Sequence, residues 1–420
     1  MEKVFILSGV RTPIGRYGGT LRDVPAYKLS ALTLNEAVKR AGIEPEQVQD
    51  VIMGQSYQNG ECSNGARMAL LEAGWPDHVT GVTIDRRCCS GLEAVAWAAM
   101  KIQSGNAEIV VAGGMENMSQ AEMYVPGEIK WGIGGKTDAK FGFMPKGHGA
   151  MSMWGIPFFD RIQRGRVMSQ PIERYGELNS MMTWAEEAAK RENISREQAD
   201  AWALRSHQNA IAALDDGRLT EEIVAVSLSR RKGEPQMFEV DETPRRDTQL
   251  EKLARLPAIY PGGVCTAGNS SSENDGAAAV VLMSESKLKQ LGLPPMARFV
   301  ASAVAGADPT LTYPAVPEAA NRALQRAGLK IDQIDLLEIQ EAFAVQTLAD
   351  AKLMGIGPED YDKKINVNGS GISLGHPVGA TGAMRLITLL HEMKRRGSRY
   401  GMVAICGGGG HGIAGVVESA

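Results

Sequence analysis

The sequence has few aromatic residues, no excess of basic charge and no long apolar run, and each of these absences excludes a class of protein. Its 420 residues include only 5% aromatic residues, and the formal net charge of −4 offers no basic excess for binding a nucleic acid. No apolar run approaches the roughly 20 residues that a membrane-spanning helix needs. Residues 1–13 lack the charged and apolar regions of a signal peptide, so we expect none. What remains is an ordinary soluble, globular composition, with enough chain for two or three domains.

Cysteine is also scarce. The chain has five cysteines, an odd number in a long chain, which argues against a disulfide framework. We therefore expect a reducing, cytoplasmic setting in which a thiol stays reduced. No group of cysteines and histidines has the spacing of metal ligands, so we expect no metal site.

Parts of the chain repeat one another. The segment NEAVKRAGI at residues 35–43 recurs as NRALQRAGL at residues 321–329. Each copy is typical of an amphipathic helix ended by a glycine, Gly42 or Gly328. A short β-rich run follows each copy, at residues 51–53 and 336–339. A second echo, a turn with a buried strand and glycines, occupies residues 105–114 and 397–408. The repeats predict an α/β protein of two related units with mostly buried strands.

A different segment, residues 119–245, interrupts the repeat. Residues 127–155 are rich in glycine, methionine and aromatics without a clear period, which predicts a long loop. Two helical patterns follow, and Ser195 with Gln198 forms a capping-box pattern between them. We interpret this segment as an insertion that covers a site. The predicted domains are 1–118 with 246–290, the insertion 119–245, and 291–420.

The first segment suited to chemistry is DRRCCSGLEAV at residues 85–95, where a predicted strand leads into a helix. A cysteine at a helix start is exposed to the positive end of the helix dipole, which favours the thiolate. Arg86 and Arg87 add positive charge. Cys88 is therefore a candidate nucleophile, and the alternative is a buried, inert cysteine.

Three further segments combine polar side chains with glycine or a strand end. His376 lies between Gly375 and Pro377 in a glycine-dense loop that lets backbone approach a ligand closely. Cys406 ends a predicted strand and precedes four glycines whose N–H groups can face an anion. Gln340 lies at a strand end that turns into a helix.

The order of five short motifs resembles that of the thiolases, or acetyl-CoA acyltransferases. The motifs are CxSGL at 88–92, TAGN at 266–269, EAF at 341–343, GHP at 375–377 and CxGGG at 406–410. The likeness begins at RTPIGR near the start and covers essentially the whole chain. It implies a thiolase-like α/β fold of two duplicated βαβαβαββ-type domains with an inserted loop domain that binds coenzyme A.

The resemblance also implies roles for single residues. Cys88 is expected to attack the thioester or ketone carbonyl and to carry the acyl group. His376 is expected to take the Cys88 proton and help hold the oxygen of the acetyl unit. Cys406 is expected to move a proton on or off the α-carbon of acetyl-CoA, because C–C cleavage releases an enolate. Backbone N–H groups of Cys88 and Gly408 are expected to stabilise the acyl oxygen.

Two positions match coenzyme A contacts in the family, and two depart from its motifs. Ser271 matches the cofactor serine, and Arg245 lies where an arginine often meets the nucleotide. Gln340 replaces an asparagine whose amide orients a water molecule of the oxyanion hole in the family. Glutamine carries the same amide on a longer side chain. Cys89 replaces a glycine. It is either a tolerated small side chain, a redox partner of Cys88, or itself the nucleophile.

Differences near the acyl pocket bear on the substrate. Ser180 and Met181 replace a His-Met pair of short-chain biosynthetic thiolases, and LTYPA at residues 311–315 replaces a Met-Gly-x-Gly-Pro turn. The covering loop, residues 119–182, is longer. We therefore expect a degradative thiolase of the fatty acid β-oxidation type for longer, branched or aromatic 3-oxoacyl chains. The alternatives are a short-chain acetyl-CoA acetyltransferase and a coenzyme A-binding subunit that needs a partner.

Two rival enzyme classes fit less well. Ketoacyl synthases use histidine or asparagine at the position of Cys406, and a cysteine hydrolase has no role for a second cysteine among glycines. The resemblance implies coenzyme A and acyl-CoA as substrates or products, with no permanently bound cofactor. It also implies a homodimer or homotetramer.

Overall fold

A computed structural model of the chain describes residues 2–127, 150–153, 156–176, 180–229 and 233–420. The strands in these ranges are β1 (Val4–Arg11), β2 (Gly15–Arg16), β3 (Asp50–Gly54), β4 (Thr80–Ile84), β5 (Ile109–Asn117), β6 (Met123–Tyr124), β7 (Ala150–Met153), β8 (Ile156–Asp160), β9 (Val226–Leu228), β10 (Gln236–Phe238), β11 (Asn274–Ser284), β12 (Ala297–Gly306), β13 (Leu336–Ile339), β14 (Tyr400–Gly407) and β15 (His411–Ser419).

The helices in the same ranges are α1 (Ala26–Ala41), α2 (Gly65–Glu72), α3 (Ser90–Gln103), α4 (Arg161–Val167), α5 (Ile172–Tyr175), α6 (Ser180–Glu192), α7 (Arg196–Asp215), α8 (Leu250–Ala254), α9 (Glu285–Leu291), α10 (Ala315–Ala327), α11 (Ala344–Leu353), α12 (Tyr361–Lys364), α13 (Gly371–Leu374) and α14 (Thr381–Arg396). Short 3₁₀ turns lie at Pro45–Gln47, Met118–Gln120, Thr220–Glu222, Pro309–Leu311, Ile331–Gln333 and Pro358–Asp360. None of these helices is both long and apolar enough to cross a membrane.

A ten-stranded mixed sheet consists of two halves with the same pattern of strand pairing. Its order is β13-β14-β15-β12-β1-β11-β5-β3-β4, and β2 pairs with β11. The antiparallel pair β1–β12 joins two halves. Outward from it, β11, β5 and β3 pair in the same sequence of directions as β15, β14 and β13: antiparallel, antiparallel, then parallel. This arrangement confirms the predicted α/β class with two duplicated halves, while the domain boundaries remain a prediction.

Strands β3, β5, β11 and β13 are buried along their whole length. Along β11, Ala278 and Val280 belong to a central apolar core, whereas Ala277 and Ala279 belong to the core beneath α1 and α2. Burial on both faces explains why the strand sequences are continuous apolar runs without polar alternation. The predicted helix ends are confirmed, since Gly42 follows α1 and Gly328 follows α10, both in the left-handed conformation.

Helices α3 and α14 meet at the centre of the molecule through two glycines. Gly91 and Gly382 are each the second residue of their helix. A Cβ atom on Gly91 would lie 2.9 Å from the oxygen of Gly379, and one on Gly382 would lie 2.3 Å from the nitrogen of Leu92. The two helix starts therefore touch backbone to backbone, which brings the turn before α3 beside the loop before α14.

The insertion is only partly the predicted loop. The capping box of Ser195 and Gln198 is confirmed at the start of α7. However, β7 pairs with β8 in a small sheet of order β6-β8-β7, so the prediction of a loop throughout residues 127–155 was wrong at residues 150–153. A strand of this length is too short for its periodicity to be seen in the sequence. Residues 128–149 and 154–155 lie outside the described residues.

Candidate active site

Cys88 lies in a tight turn between β4 and α3. Arg87, directly before it, has φ = 53°, a left-handed conformation that residues with a Cβ atom rarely adopt. The turn is held by hydrogen bonds. The N–H of Arg87 donates to Asp85 Oδ1 at 2.7 Å, and Ser90 Oγ accepts from Arg86 N–H at 2.7 Å while donating to the oxygen of Arg87 at 2.6 Å. The strained turn directs Cys88 into the wall of a cavity.

The surroundings of Cys88 keep it a thiol in the free protein. Burial raises the pKa of the Cys88 thiol to about 11, while the backbone N–H of Gly408 and the guanidinium of Arg87 act in the opposite direction. A thiol with this pKa needs a base to remove its proton as it attacks a carbonyl.

His376 lines the same cavity and is held in one orientation. Its backbone N–H donates to Asn274 Oδ1 at 2.8 Å. Its Nδ1 lies 2.7 Å from Thr381 Oγ1, which donates its own proton to the oxygen of Pro377 at 2.8 Å. Because the single hydroxyl proton goes to Pro377, the threonine oxygen accepts from Nδ1–H, and Nε2 of His376 keeps its lone pair.

The charge state of His376 suits a base. The pKa of His376 is lowered to about 3, mostly by burial and in addition by the positive charges of Arg385 and Arg166. The imidazole is therefore neutral at physiological pH. The cavity thus holds a neutral thiol and a neutral imidazole in the resting protein.

The loop of His376 is tied to the first half of the chain by Glu116. This buried carboxylate accepts the N–H groups of Ser56 at 3.0 Å, Tyr57 at 3.1 Å and Gly379 at 2.9 Å. Burial raises the pKa of Glu116 to about 7, while the three backbone hydrogen bonds act against the rise. The sequence offered no signal for this residue, because its three partners come from distant segments.

Cys406 lies behind the cavity wall, at the end of β14. Its side chain is fully buried and does not line the cavity. Burial, then the proximity of Cys88, Asp350 and Cys89, raises the pKa of Cys406 well above that of an ordinary thiol. Gly408, two residues on, does line the cavity. The structure therefore brings Cys88, His376 and Gly408 to one cavity, with Cys406 close behind them.

Cys89, like Cys406, does not line the cavity. Its Sγ is fully buried and donates to the oxygen of Ile405 at 3.5 Å. Burial and the neighbouring Cys88 raise the pKa of Cys89 well above its ordinary value. Its thiol is therefore held by a backbone carbonyl beside the end of β14.

Gln340 is fully buried and does not line the cavity either. Its Oε1 accepts from Arg385 Nε at 3.2 Å, and Arg385 also donates to the oxygen of Gly375 at 3.0 Å. Its Nε2 makes no hydrogen bond with any described residue. The amide is therefore linked through Arg385 to the residue before His376.

The two predicted coenzyme A contacts lie apart. Ser271 lines the Cys88 cavity. Arg245 does not, and lies instead at a separate cavity, where its backbone N–H donates to His207 Nδ1 at 3.2 Å. Across the described residues, no group of three or more histidine, cysteine, aspartate or glutamate side chains could hold a metal ion.

Further residues line the cavity, and only Ala342 and Phe343 among them belong to one of the five motifs. They are Tyr57, Arg87, Met118, Arg166, Ser169, Met181, Met182, Ser270, Ser272, Glu273, Ala342, Phe343 and Val378, with Gly165. Most come from the insertion or from loops of both halves, and only the folded chain shows that they share one wall.

Comparisons with known proteins agree with the fold. The family models "Thiolase, N-terminal domain" and "Thiolase, C-terminal domain" match residues 4–286 and 293–419. The crystal structure of the Bacillus anthracis acetyl-CoA acetyltransferase is 41% identical, covers 100% of this chain and 99% of its own, and superposes with a TM-score of 0.90. Among curated proteins, the acetyl-CoA acetyltransferases of Cupriavidus necator and Syntrophomonas wolfei are 43% and 42% identical, covering 100% of this chain and 100% and 99% of their own lengths.

The fold and these matches define the chain as an acyltransferase enzyme. It belongs to the thiolase family, which confirms the resemblance and the fold predicted from the sequence. Coenzyme A enters the reaction of this family as a substrate and product, with no permanently bound cofactor.

Proposed function

We propose that the chain cleaves the C–C bond of a 3-oxoacyl-CoA with coenzyme A, or forms it in reverse, through an acyl group on Cys88. The observation that carries the proposal is the shared cavity of Cys88, His376 and Gly408, with Cys406 behind it. A nucleophile, a neutral base and a backbone donor at one cavity are the parts that acyl transfer requires.

In the first step the sulfur of Cys88 attacks the 3-oxo carbon, and Nε2 of His376 takes the thiol proton. The resting site holds thiol and imidazole, so this proton moves during the attack and not before it. The N–H groups of Cys88 and Gly408 would hold the acyl oxygen, and one such donor typically contributes about 3 kcal/mol. The bond between C2 and C3 then breaks, leaving the acyl group on Cys88 and the enolate of acetyl-CoA.

Cys406 supplies the proton that the enolate needs. Its raised pKa keeps it protonated, so it can donate to C2 and release acetyl-CoA. The resulting thiolate then takes the proton of an incoming coenzyme A thiol. That sulfur attacks the acyl–Cys88 thioester, and Cys88 recovers its proton from His376. We propose that Gln340 acts on the same oxygen-binding region through Arg385, which reaches Gly375 beside His376.

Ser271 and Arg245 are the proposed coenzyme A contacts. Ser271 lies at the Cys88 cavity, where the pantetheine arm must enter to bring its sulfur to the thiol. Arg245 lies at another surface cavity with Arg246, which suits the phosphates at the far end of the molecule.

Two acyl preferences are supported by different observations. The names of the relatives from Cupriavidus necator and Syntrophomonas wolfei favour a short-chain acetyl-CoA acetyltransferase. The departures at Ser180, Met181 and residues 311–315 favour a degradative enzyme for longer, branched or aromatic chains. A homodimer or homotetramer in the cytoplasm completes the proposal.

The test is to incubate the protein with acyl- and 3-oxoacyl-CoA thioesters of each chain type, without free coenzyme A, and to locate adducts by peptide mass mapping. An adduct on Cys88 supports the mechanism, and the preferred chain identifies the substrate class. An adduct on Cys89 overturns the assignment of the nucleophile. If coenzyme A binds but no thioester leaves an adduct, the chain is a binding subunit and the proposed function fails.

A further inference from the structure

The cavity of Cys88 carries charge in its wall, which a cavity for a plain hydrocarbon chain does not need. Arg87, Arg166 and Glu273 line it together with Cys88 and His376. Arg87 comes from the turn before α3, Arg166 from α4 of the insertion, and Glu273 from the residue before β11. Three separate segments thus place charged side chains around one small space.

Two of the three charges compensate each other. Arg166 Nη2 forms an ion pair with Glu273, and both side chains are about three-quarters buried. Glu273 is itself fixed at the reaction centre, because its backbone bridges to that of His376. This pair contributes no net charge to the cavity.

Arg87 is the remaining cation. Its Nη2 donates to the oxygen of Gly165 at 3.2 Å, and within the described residues no carboxylate lies at ion-pair distance from it. The adjacent Arg86 differs, since it pairs with Glu93 at 3.0 Å and does not line the cavity. A half-buried guanidinium without an anionic partner is stabilised when a ligand brings one.

Gly165 lies beside this guanidinium. A Cβ atom there would lie 3.4 Å from the Tyr57 ring and 3.7 Å from Arg87 Nη1. The Tyr57 ring and the Arg87 guanidinium are therefore close neighbours at one place in the wall. The hydroxyl of Tyr57 makes no hydrogen bond with the described residues, so this place offers both a cation and a neutral donor.

The phosphates of coenzyme A cannot be the anion that Arg87 meets. When the thioester lies at Cys88, the whole pantetheine arm separates it from the diphosphate, whereas Arg87 is covalently next to Cys88. The wall also has a large apolar part, formed by side chains of Met118, Met181, Met182, Phe343 and Val378. Such a wall accommodates methylene groups between a thioester and a charged end.

We infer that the acyl chain accepted by this site carries a carboxylate at its far end, held by Arg87 and Tyr57, with its methylene segment against the methionines. The inference rests on the proposed thiolase reaction and names its substrate class: 3-oxo dicarboxylic acids esterified at one end to coenzyme A.

The experiment compares matched substrates in the full-length protein. Each 3-oxoacyl-CoA is paired with a counterpart of equal length whose terminal methyl is replaced by a carboxylate, over a ladder of chain lengths, and kcat/KM is measured for both. At the best length we expect the carboxylate to be preferred by about tenfold or more, because a half-buried cation without an anionic partner gains a charge-assisted hydrogen bond. The preference should fall as salt is added.

Variants then assign the preference to Arg87. In Arg87→Leu the ratio of the two kcat/KM values should fall to about one or below, and in Arg87→Lys part of it should remain. The ratio is the proper readout, since any effect of Arg87 on the Cys88 thiol slows both substrates alike. Arg86→Gln, which removes the neighbouring cation outside the cavity, should keep the wild-type ratio.

The outcomes separate the two proposals. If the wild-type protein turns over the methyl-ended chains as well as or better than the carboxylates at every length, the inference is overturned. The thiolase reaction itself would then still stand. A clear carboxylate preference that survives Arg87→Leu also overturns it. Absence of turnover and of any Cys88 adduct with both series refutes the proposed function itself, and the inference with it.

Discussion

His376 Nδ1 and Thr381 Oγ1 lie 2.7 Å apart, across one turn of chain at the start of α14. Because Thr381 gives its proton to the oxygen of Pro377, this contact decides which nitrogen of the imidazole is unprotonated. The reactivity of His376 therefore depends on a hydroxyl that does not itself line the cavity.

The first prediction concerns this hydroxyl. Thr381→Val keeps the shape but removes the acceptor of Nδ1–H, so we expect kcat to fall by about 100-fold while KM for coenzyme A changes little. Thr381→Ser, which keeps the hydroxyl, should recover most of the activity. Steady-state kinetics of the three proteins test this, and equal losses in the valine and serine variants would show that packing alone is at work.

The second prediction separates the two steps of the reaction. In Cys406→Ala the acyl group should still transfer from an acyl-CoA to Cys88, because that step uses His376. Thiolysis of a 3-oxoacyl-CoA should fall by about a thousandfold, since the enolate lacks its proton donor. Mass spectrometry of the adduct and turnover rates provide the two readouts.

The matched control for Cys406→Ala is Cys89→Ala, which removes a buried thiol that does not reach the cavity. We expect it to keep thiolysis within about tenfold of the wild type. A larger loss in Cys89→Ala than in Cys406→Ala would reverse the proposed assignment.

The third prediction concerns the contact of α3 with α14. Gly382→Ala places a Cβ atom 2.3 Å from the nitrogen of Leu92, and backbone cannot move away without separating the helices. We expect a loss of about 3 kcal/mol in the free energy of unfolding. Gly60→Ala is the control, because its Cβ atom would meet nothing closer than 3.8 Å. Urea denaturation of both variants measures the difference, and similar midpoints would contradict the prediction.

The fourth prediction is a pH dependence from Glu116. Its pKa is raised by burial from 4.5 to about 7 in the folded chain, so the folded state holds a proton that the unfolded state releases at lower pH. Its contribution to stability is therefore fully present below pH 4.5 and is lost as the pH rises through about 7. In Glu116→Gln this change disappears.

The measurement for Glu116 is the free energy of unfolding from urea titrations at several pH values. Relative to the wild type, Glu116→Gln should become steadily more stable between pH 4.5 and about 7. The difference over this range should be on the order of 3 kcal/mol. Parallel curves for the two proteins would mean that the carboxyl group does not titrate in this range.

Local signals made parts of the fold and site predictable. The helices ended by Gly42 and Gly328 were predictable because a left-handed glycine ends a helix whatever surrounds it. His376 and Cys406 stood out because each lies beside glycines, and Cys88 because it lies where a predicted strand leads into a helix. All three belong to motifs of the family. The structure adds that the first two share a cavity and that the third lies behind its wall.

Other features depended on contacts between distant segments. Arg166 and Glu273 are far apart in sequence and meet only after the insertion folds over the first half. Glu116 gains its importance from N–H groups of two separate loops. The left-handed backbone of Arg87 is imposed by the turn in which it lies. It was not predictable from the residue type, because arginine does not favour this conformation.

The meeting of Gly91 with Gly382 has a consequence for the history of this chain. A Cβ atom on Gly91 would meet the backbone of Gly379, Ala380 and Ala383, and one on Gly382 would meet that of Leu92, so each half of the chain excludes a side chain from the other. A change to alanine at either position cannot be absorbed by a smaller residue opposite, because the atoms that it meets are backbone atoms that every residue has. The two glycines must therefore be inherited together, although they lie in different halves of the chain.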